Sequence, residues 1–179
     1  RARHGELSPV AHSRLNDASA MNKPALVQKI TAHLAGKLEL TTRAARATQA
    51  EATHEQNKAE SKYDTRGLEA SYLAHGQARQ AGETEQELRQ CQSLSLRAFT
   101  SENPIALGAL VELEGRDARL TCFIAPGAGG VEFPHEGKTV LVLTPSSPLG
   151  RQLMGHRQGE RLMLETGRAR REYVVAAVT

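Results

Sequence analysis

The chain has 179 residues, of which 39% are hydrophobic, only 3% aromatic and none tryptophan. That suffices for one compact domain beside an extended element and falls short of two full cores. A net charge of +3 selects no partner by itself. Cys91 and Cys122 stand in no CxxC or Cys/His ligand spacing, which points to a reduced, cytoplasmic chain. No stretch is apolar for the length a membrane span needs.

Residues 1–20, RARHGELSPVAHSRLNDASA, are basic but lack the apolar segment of a secretory signal. They are expected to be a disordered tail, an expression remnant or a misplaced start, because helical periodicity begins only at Met21. From there Leu26, Ile30, Leu34 and Leu38 recur every four residues and mark one side of a helix. Asn22 is placed to cap it, and Pro24 falls in the first turn, where proline is tolerated. The stripe then thins into TTRAARATQAEAT, in which alanine sustains the helix and lets a partner lie close.

A second helix is expected from about Asp64 to Arg97, carrying Leu68, Tyr72, Leu88, Cys91 and Leu94 and weakened by glycines 67, 76 and 82. With no proline between 25 and 103, the economical arrangement is an antiparallel hairpin over 21–98 with its tip near 55–63. Charge is sorted along it. Residues 22–50 carry five basic groups against Glu39 alone, whereas 51–64 carry Glu51, Glu55, Glu60 and Asp64 against two lysines. Paired charges on a solvated helix face explain part of this. They do not explain the separation of a basic shaft from an acidic end.

Residues 99–179 read as a small sheet domain. ALVELEGRDARLTCFIA alternates around a Gly-Arg-Asp turn as a hairpin, KTVLVLT is a buried strand, and GERLMLET and REYVVAAV form a closing pair. Between them, PLGRQLMGHR is a short helix with Ser146 or Ser147 as cap and Pro148 in its first turn. Gly155 and Gly159 end it and turn the chain. Leu149, Leu153 and Met154 face the sheet, leaving Arg151, His156 and Arg157 outside. The expected class is α+β, with about five antiparallel strands and one helix. The scattered His33, His54, His75, His135 and His156 read as surface residues, and Cys91 as a packing residue. Phe99, Phe123, Phe133 and Tyr173 are too few for the aromatic pocket of a prolyl isomerase.

The segment LTPSSPLGRQLMGHRQGERLML resembles the IS-xx-SPLGxALLGKxxGDxV stretch of the Gre family of bacterial transcript-elongation factors. It is preceded by ALGALVELE and followed by EYVVAAV, as in that family. The stretch around HEQNKAESKYD is similar, more loosely, to the family's ARExGDLxENAEYxxAKE tip, with Glu60 and Tyr63 as clearest counterparts. The resemblance covers nearly all of 21–179. It implies a coiled-coil hairpin followed by an FKBP-like domain, RNA polymerase as partner, and nascent RNA and DNA met only within the elongation complex.

By the same resemblance the chain is a monomer with no catalysis and no metal of its own. Ser147, Pro148, Leu149, Gly150, Arg151, His156 and Arg157 grip the polymerase at its secondary channel. Arg43 and Arg46 face RNA, and Glu55, Glu60 and Asp64 reach the polymerase active centre, where Glu55 and Glu60 contact Mg²⁺. The tip departs from the family's cleaving members. Where they carry Asp and Glu three apart, this chain places Gln56 or Asn57 before Glu60, with Lys58 beside them. Asp64 has the alternative role of capping the second helix. Channel binding that modulates elongation or the rescue of backtracked complexes, without efficient RNA cleavage, is the expectation; a non-cleaving coiled-coil module or inhibitor acting on polymerase or on another protein partner is the alternative.

Overall fold

The computed structural model describes residues 21–53, 66–166 and 169–179. The segment 1–20 and the bend that holds Glu55, Glu60, Tyr63 and Asp64 lie outside these residues. Helix α1 spans Lys23–Thr53 and α2 spans Arg66–Gln92, about 46 Å and 40 Å at the usual rise. Asn22 caps α1 as expected, its Oδ1 accepting the Ala25 amide at 3.0 Å. Leu26, Ile30 and Leu34 are buried along one face. α2 runs unbroken through Gly76 and Gly82, which stand in open space.

Two expectations for α2 are corrected. It ends at Gln92 rather than Arg97, because Leu94 and Leu96 both pack against the hairpin-side core. Side chains two apart share a face in extended chain, not in a helix. Leu68 and Tyr72, placed in its apolar stripe, are 56% and 71% exposed. Of the residues placed in that stripe, Leu88 and Cys91 in the helix and Leu94 just beyond it pack inward.

The sheet has six strands, β1 Leu110–Gly115, β2 Arg119–Ile124, β3 Glu132–His135, β4 Lys138–Leu143, β5 Arg161–Thr166 and β6 Ala169–Val178. Their order is β3-β4-β2-β1-β6-β5. The two expected hairpins and the KTVLVL strand form where the alternation placed them. The sheet is mixed, however, not antiparallel, since β2 and β4 pair in parallel from Thr121↔Val140 to Ile124↔Leu143. A parallel neighbour requires a crossover, and residues 125–137 make it through β3. Pro134 hides this strand from sequence patterning, yet an edge strand tolerates proline. Glu136 and Gly137, with φ of 47° and 77°, turn β3 into β4.

The sheet separates two apolar clusters. On one side Val111, Leu113, Cys122 and Ile124 pack with Leu153, Leu164, Tyr173 and Val175, seating helix α3, Pro148–Leu153. On the other, Leu110, Phe123, Val140 and Val142 meet Leu26, Ile30, Leu34 and Cys91. The hairpin therefore stands on the sheet through a shared core. Polar bonds fix its base. Lys23 Nζ donates to the Arg97 carbonyl and Lys29 Nζ to that of Pro134, both at 2.6 Å. Glu87 Oε2 accepts the Ala128 amide at 3.2 Å.

Burial, with Arg97 nearby, holds the Lys23 ammonium below its ordinary pKa. His135, read as a surface residue, is only 4% exposed at the end of β3, where it pairs with Lys138. Burial pushes the Cys122 thiol up to about 12, so it stays protonated and inert.

Candidate functional site

The shaft of the hairpin is held by small and polar residues once Leu38 is passed. Thr42 and Ala45 of α1 and Ala74 and Ala78 of α2 line an interhelical groove of about 740 Å³. Arg46 and His75 also line it. The two arginines expected to face RNA differ. Arg43 is held by Glu39 at 2.9 Å, one turn earlier, while Arg46 has no ion-pair partner among the described residues. Arg46 is thus the less compensated cation of the pair. The acids expected at the tip, Glu55, Glu60 and Asp64, lie outside the described residues, so the hairpin places their two flanking helices only. Among the described residues no three His, Cys, Asp or Glu side chains gather as a metal-ligand set.

The Ser-Pro-Leu-Gly segment is a lock. Ser147 Oγ accepts the Gly150 amide at 3.0 Å and donates to the Thr144 carbonyl at 2.8 Å. That carbonyl also accepts the Ser147 amide at 3.0 Å. Pro148 follows in the first helical position, where its missing N–H costs nothing. Gly150 is buried, and an added Cβ would lie 2.0 Å from the Thr144 oxygen. Gly155, with φ of 86°, releases the chain in a conformation that favours glycine. Leu153 is fully buried and Leu149 and Met154 are half-buried against the same cluster.

Of the seven residues expected to contact the partner, Ser147, Leu149 and Gly150 are therefore committed to the fold. Pro148, Arg151 and Arg157 remain exposed. Arg151 reaches back to the Ser146 carbonyl, and Arg157 Nε donates to the Glu102 carbonyl at 3.0 Å. Sequence reasoning missed that Arg157 ties α3's exit to the linker from the hairpin. No local pattern signals a bond spanning 55 positions.

His156 lies between these groups. Its backbone carbonyl accepts the Ile105 amide at 2.7 Å. Its Nδ1 sits 2.6 Å from Glu160 Oε2. The bond to His156 holds the Glu160 carboxyl below its ordinary range, with the Arg157 backbone and charge adding to it. A depressed carboxylate pKa stabilises the fold above the unfolded value and stops doing so as pH falls through the folded one. Glu160→Gln is thus expected to lower the melting temperature slightly near neutral pH, with the gap closing below about pH 4. Melting curves across pH check this; a gap independent of pH would contradict it.

A two-helix hairpin rooted on one face of a mixed six-stranded sheet, with the Ser-Pro-Leu-Gly helix seated on the other, is an α+β arrangement of the kind the Gre resemblance implies. No family model matches the chain. It is 31% identical over 123 residues to the transcription inhibitor protein Gfh1 of Thermus thermophilus, covering 65% of this chain and 72% of that protein. The match to Gfh1 from a second strain of the same species is 30% over the same length. The crystal structure of GreA factor homolog 1 from T. thermophilus matches 83% of this chain and 94% of its own at 24% identity, with a TM-score of 0.37. By its curated relatives, the chain belongs to the Gre-type family.

Proposed function

We propose that this chain binds bacterial RNA polymerase in the cytoplasm, inserts its hairpin into the secondary channel, and restrains elongation without stimulating efficient RNA cleavage. The observation that carries this reading is the tip sequence HEQNKAE. It offers Glu55 and Glu60 but has an amide where cleaving family members have aspartate. An amide oxygen ligates Mg²⁺ without bringing charge, and Lys58 opposes the cation. Two carboxylates so arranged suit contact with a metal held chiefly by the polymerase, and the chain supplies no catalysis of its own. Family membership supports the partner, and the relatives' description as transcription inhibitors supports the direction of the effect. The hairpin rooted on the sheet supports the mode, since a rod anchored at one end reaches into a channel while its FKBP-like base stays at the mouth.

The test adds the protein to backtracked elongation complexes in Mg²⁺. Short 3′ RNA fragments should not accumulate, and the protein should compete with a cleaving Gre factor. Glu55→Ala with Glu60→Ala should weaken the effect on elongation roughly tenfold, the scale of one lost charged contact of about 1.4 kcal/mol. Unchanged binding and transcription in that variant would refute the role of the tip. Failure to bind polymerase would overturn the whole reading in favour of another protein partner.

A further inference from the structure

Two cations meet one aromatic ring at the foot of the hairpin. Lys23, the first residue of α1, places Nζ 5.0 Å from the Phe99 ring centroid, and Arg97 places Cζ at 4.5 Å. Lys23 Nζ also donates to the Arg97 carbonyl at 2.6 Å, which holds the amine beside the arginine. Phe99 is buried, Lys23 half-buried and Arg97 exposed. Neither cation has an ion-pair partner among the described residues. Glu136 meets the same end of α1, but its Oε1 accepts the Asn22 amide at 3.2 Å. Of the four lysines among the described residues, Lys23 alone shares a ring with a second cation.

This arrangement works against an ammonium at Lys23. Burial disfavours its charge, Arg97 repels it, and the positive end of α1 adds to the same field. A desolvated lysine beside another cation is an activated nucleophile. The guanidinium stays charged and presents a fork of N–H donors that matches phosphate. An activated amine next to a phosphate-binding cation suits a reagent that carries its acyl group on phosphate.

We propose that Lys23 is a modification site for small acyl phosphates, with Arg97 holding the phosphate while the Lys23 amine takes the acyl group. The amine attacks the carbonyl carbon, a C–N bond forms as the C–O bond to phosphate breaks, and the amine proton passes to water. Inorganic phosphate leaves, and nothing is oxidised or reduced. The product keeps one N–H for the Arg97 carbonyl but loses its charge over Phe99. The modification therefore acts on the clasp between α1 and the segment that follows α2.

The full chain is incubated with acetyl phosphate, and peptide mass spectrometry follows each lysine. Lys23 should be acetylated about tenfold faster than the exposed Lys37, the advantage of one charged contact to the phosphate. Arg97→Gln keeps the backbone carbonyl that anchors Lys23 and should remove that advantage; Arg97→Lys should keep most of it. Circular dichroism should be unchanged in both. With a neutral acetyl ester, which offers no phosphate to hold, Arg97→Gln should alter the Lys23 rate by no more than about threefold. Lys23 reacting no faster than Lys37 would overturn the proposal. So would an Arg97→Gln chain that keeps the parent's rate with acetyl phosphate. Equal losses with both reagents would also overturn it, since Arg97 would then shape the site without holding phosphate.

Discussion

Replacing Gly150 with alanine should destabilise the sheet domain by about 3–5 kcal/mol, among the largest effects of any single methyl group in this chain. The added Cβ would lie 2.0 Å from the Thr144 oxygen and 2.8 Å from Ser147 Oγ. Neither atom can retreat cheaply. The Thr144 oxygen accepts both the amide and the hydroxyl of Ser147, and that hydroxyl caps the helix by accepting the Gly150 amide. Moving the helix away breaks the cap, worth about 1 kcal/mol, and lifts the buried Leu153 from its cluster.

With hairpin and sheet melting as one unit of this length, the melting temperature should fall by roughly 6–20 °C. Gly155→Ala is the informative companion. Gly155 has no atom within 4 Å of its added Cβ but a φ of 86°, so its cost is conformational alone, about 1–2 kcal/mol. Equal losses for the two variants would show that crowding at Gly150 is relieved by movement. That result would refute the lock.

The lock bears on how this family signature is to be understood. Sequence placed the cap, the proline, the short helix and both turn glycines correctly, because each follows from local backbone rules. It also assigned Ser147, Leu149 and Gly150 to a partner, and the structure gives each of them a part in the fold besides. A motif looks the same whether it is kept for contact or for folding. The bonds to Thr144 and the burial of Gly150 show its part in folding. Exposed on the segment are Pro148, Arg151 and Arg157, positioned by the Ser147 cap and the buried Gly150 and Leu153.

Other misses share a physical origin, namely long-range pairing that one sequence does not encode locally. The β2–β4 pairing is parallel because β3 inserts at the edge, and β3 contains a proline that argues against any strand. His135 is buried at the end of that same strand. The two faces of the sheet are apolar in alternation, so β1 and β2 were legible as strands. Nothing in the alternation says that the second face is covered by α1 and α2. Within the hairpin, Leu26, Ile30 and Leu34 marked the helix face correctly. Leu68 and Tyr72 have apolar spacing too, yet they remain exposed.

The shared core makes a second large effect predictable. Leu34 is fully buried between α1 and the sheet-side cluster, and Leu34→Ala should cost about 3–4 kcal/mol through lost burial and the cavity left behind. Because the same residues root the hairpin and cover the sheet, the loss should appear in one cooperative transition rather than as separate melting of the rod. Leu40, six residues further along α1, is 68% exposed, and Leu40→Ala should stay within about 0.5 kcal/mol.

Hydrogen exchange refines the expectation. Protection should be greatest over residues 26–38 and 84–92, where the hairpin meets the sheet, and should fall outward along the groove lined by Thr42, Ala45, Ala74 and Ala78. In Leu34→Ala, protection of Val140 and Val142 on the sheet should fall together with that of α1. If α1 alone loosens while the sheet keeps its protection, the hairpin is an independent appendage. If Leu34→Ala costs no more than Leu40→Ala, the base is not held by this core. Either outcome would mean that force or movement at the hairpin is not transmitted to the domain that carries it.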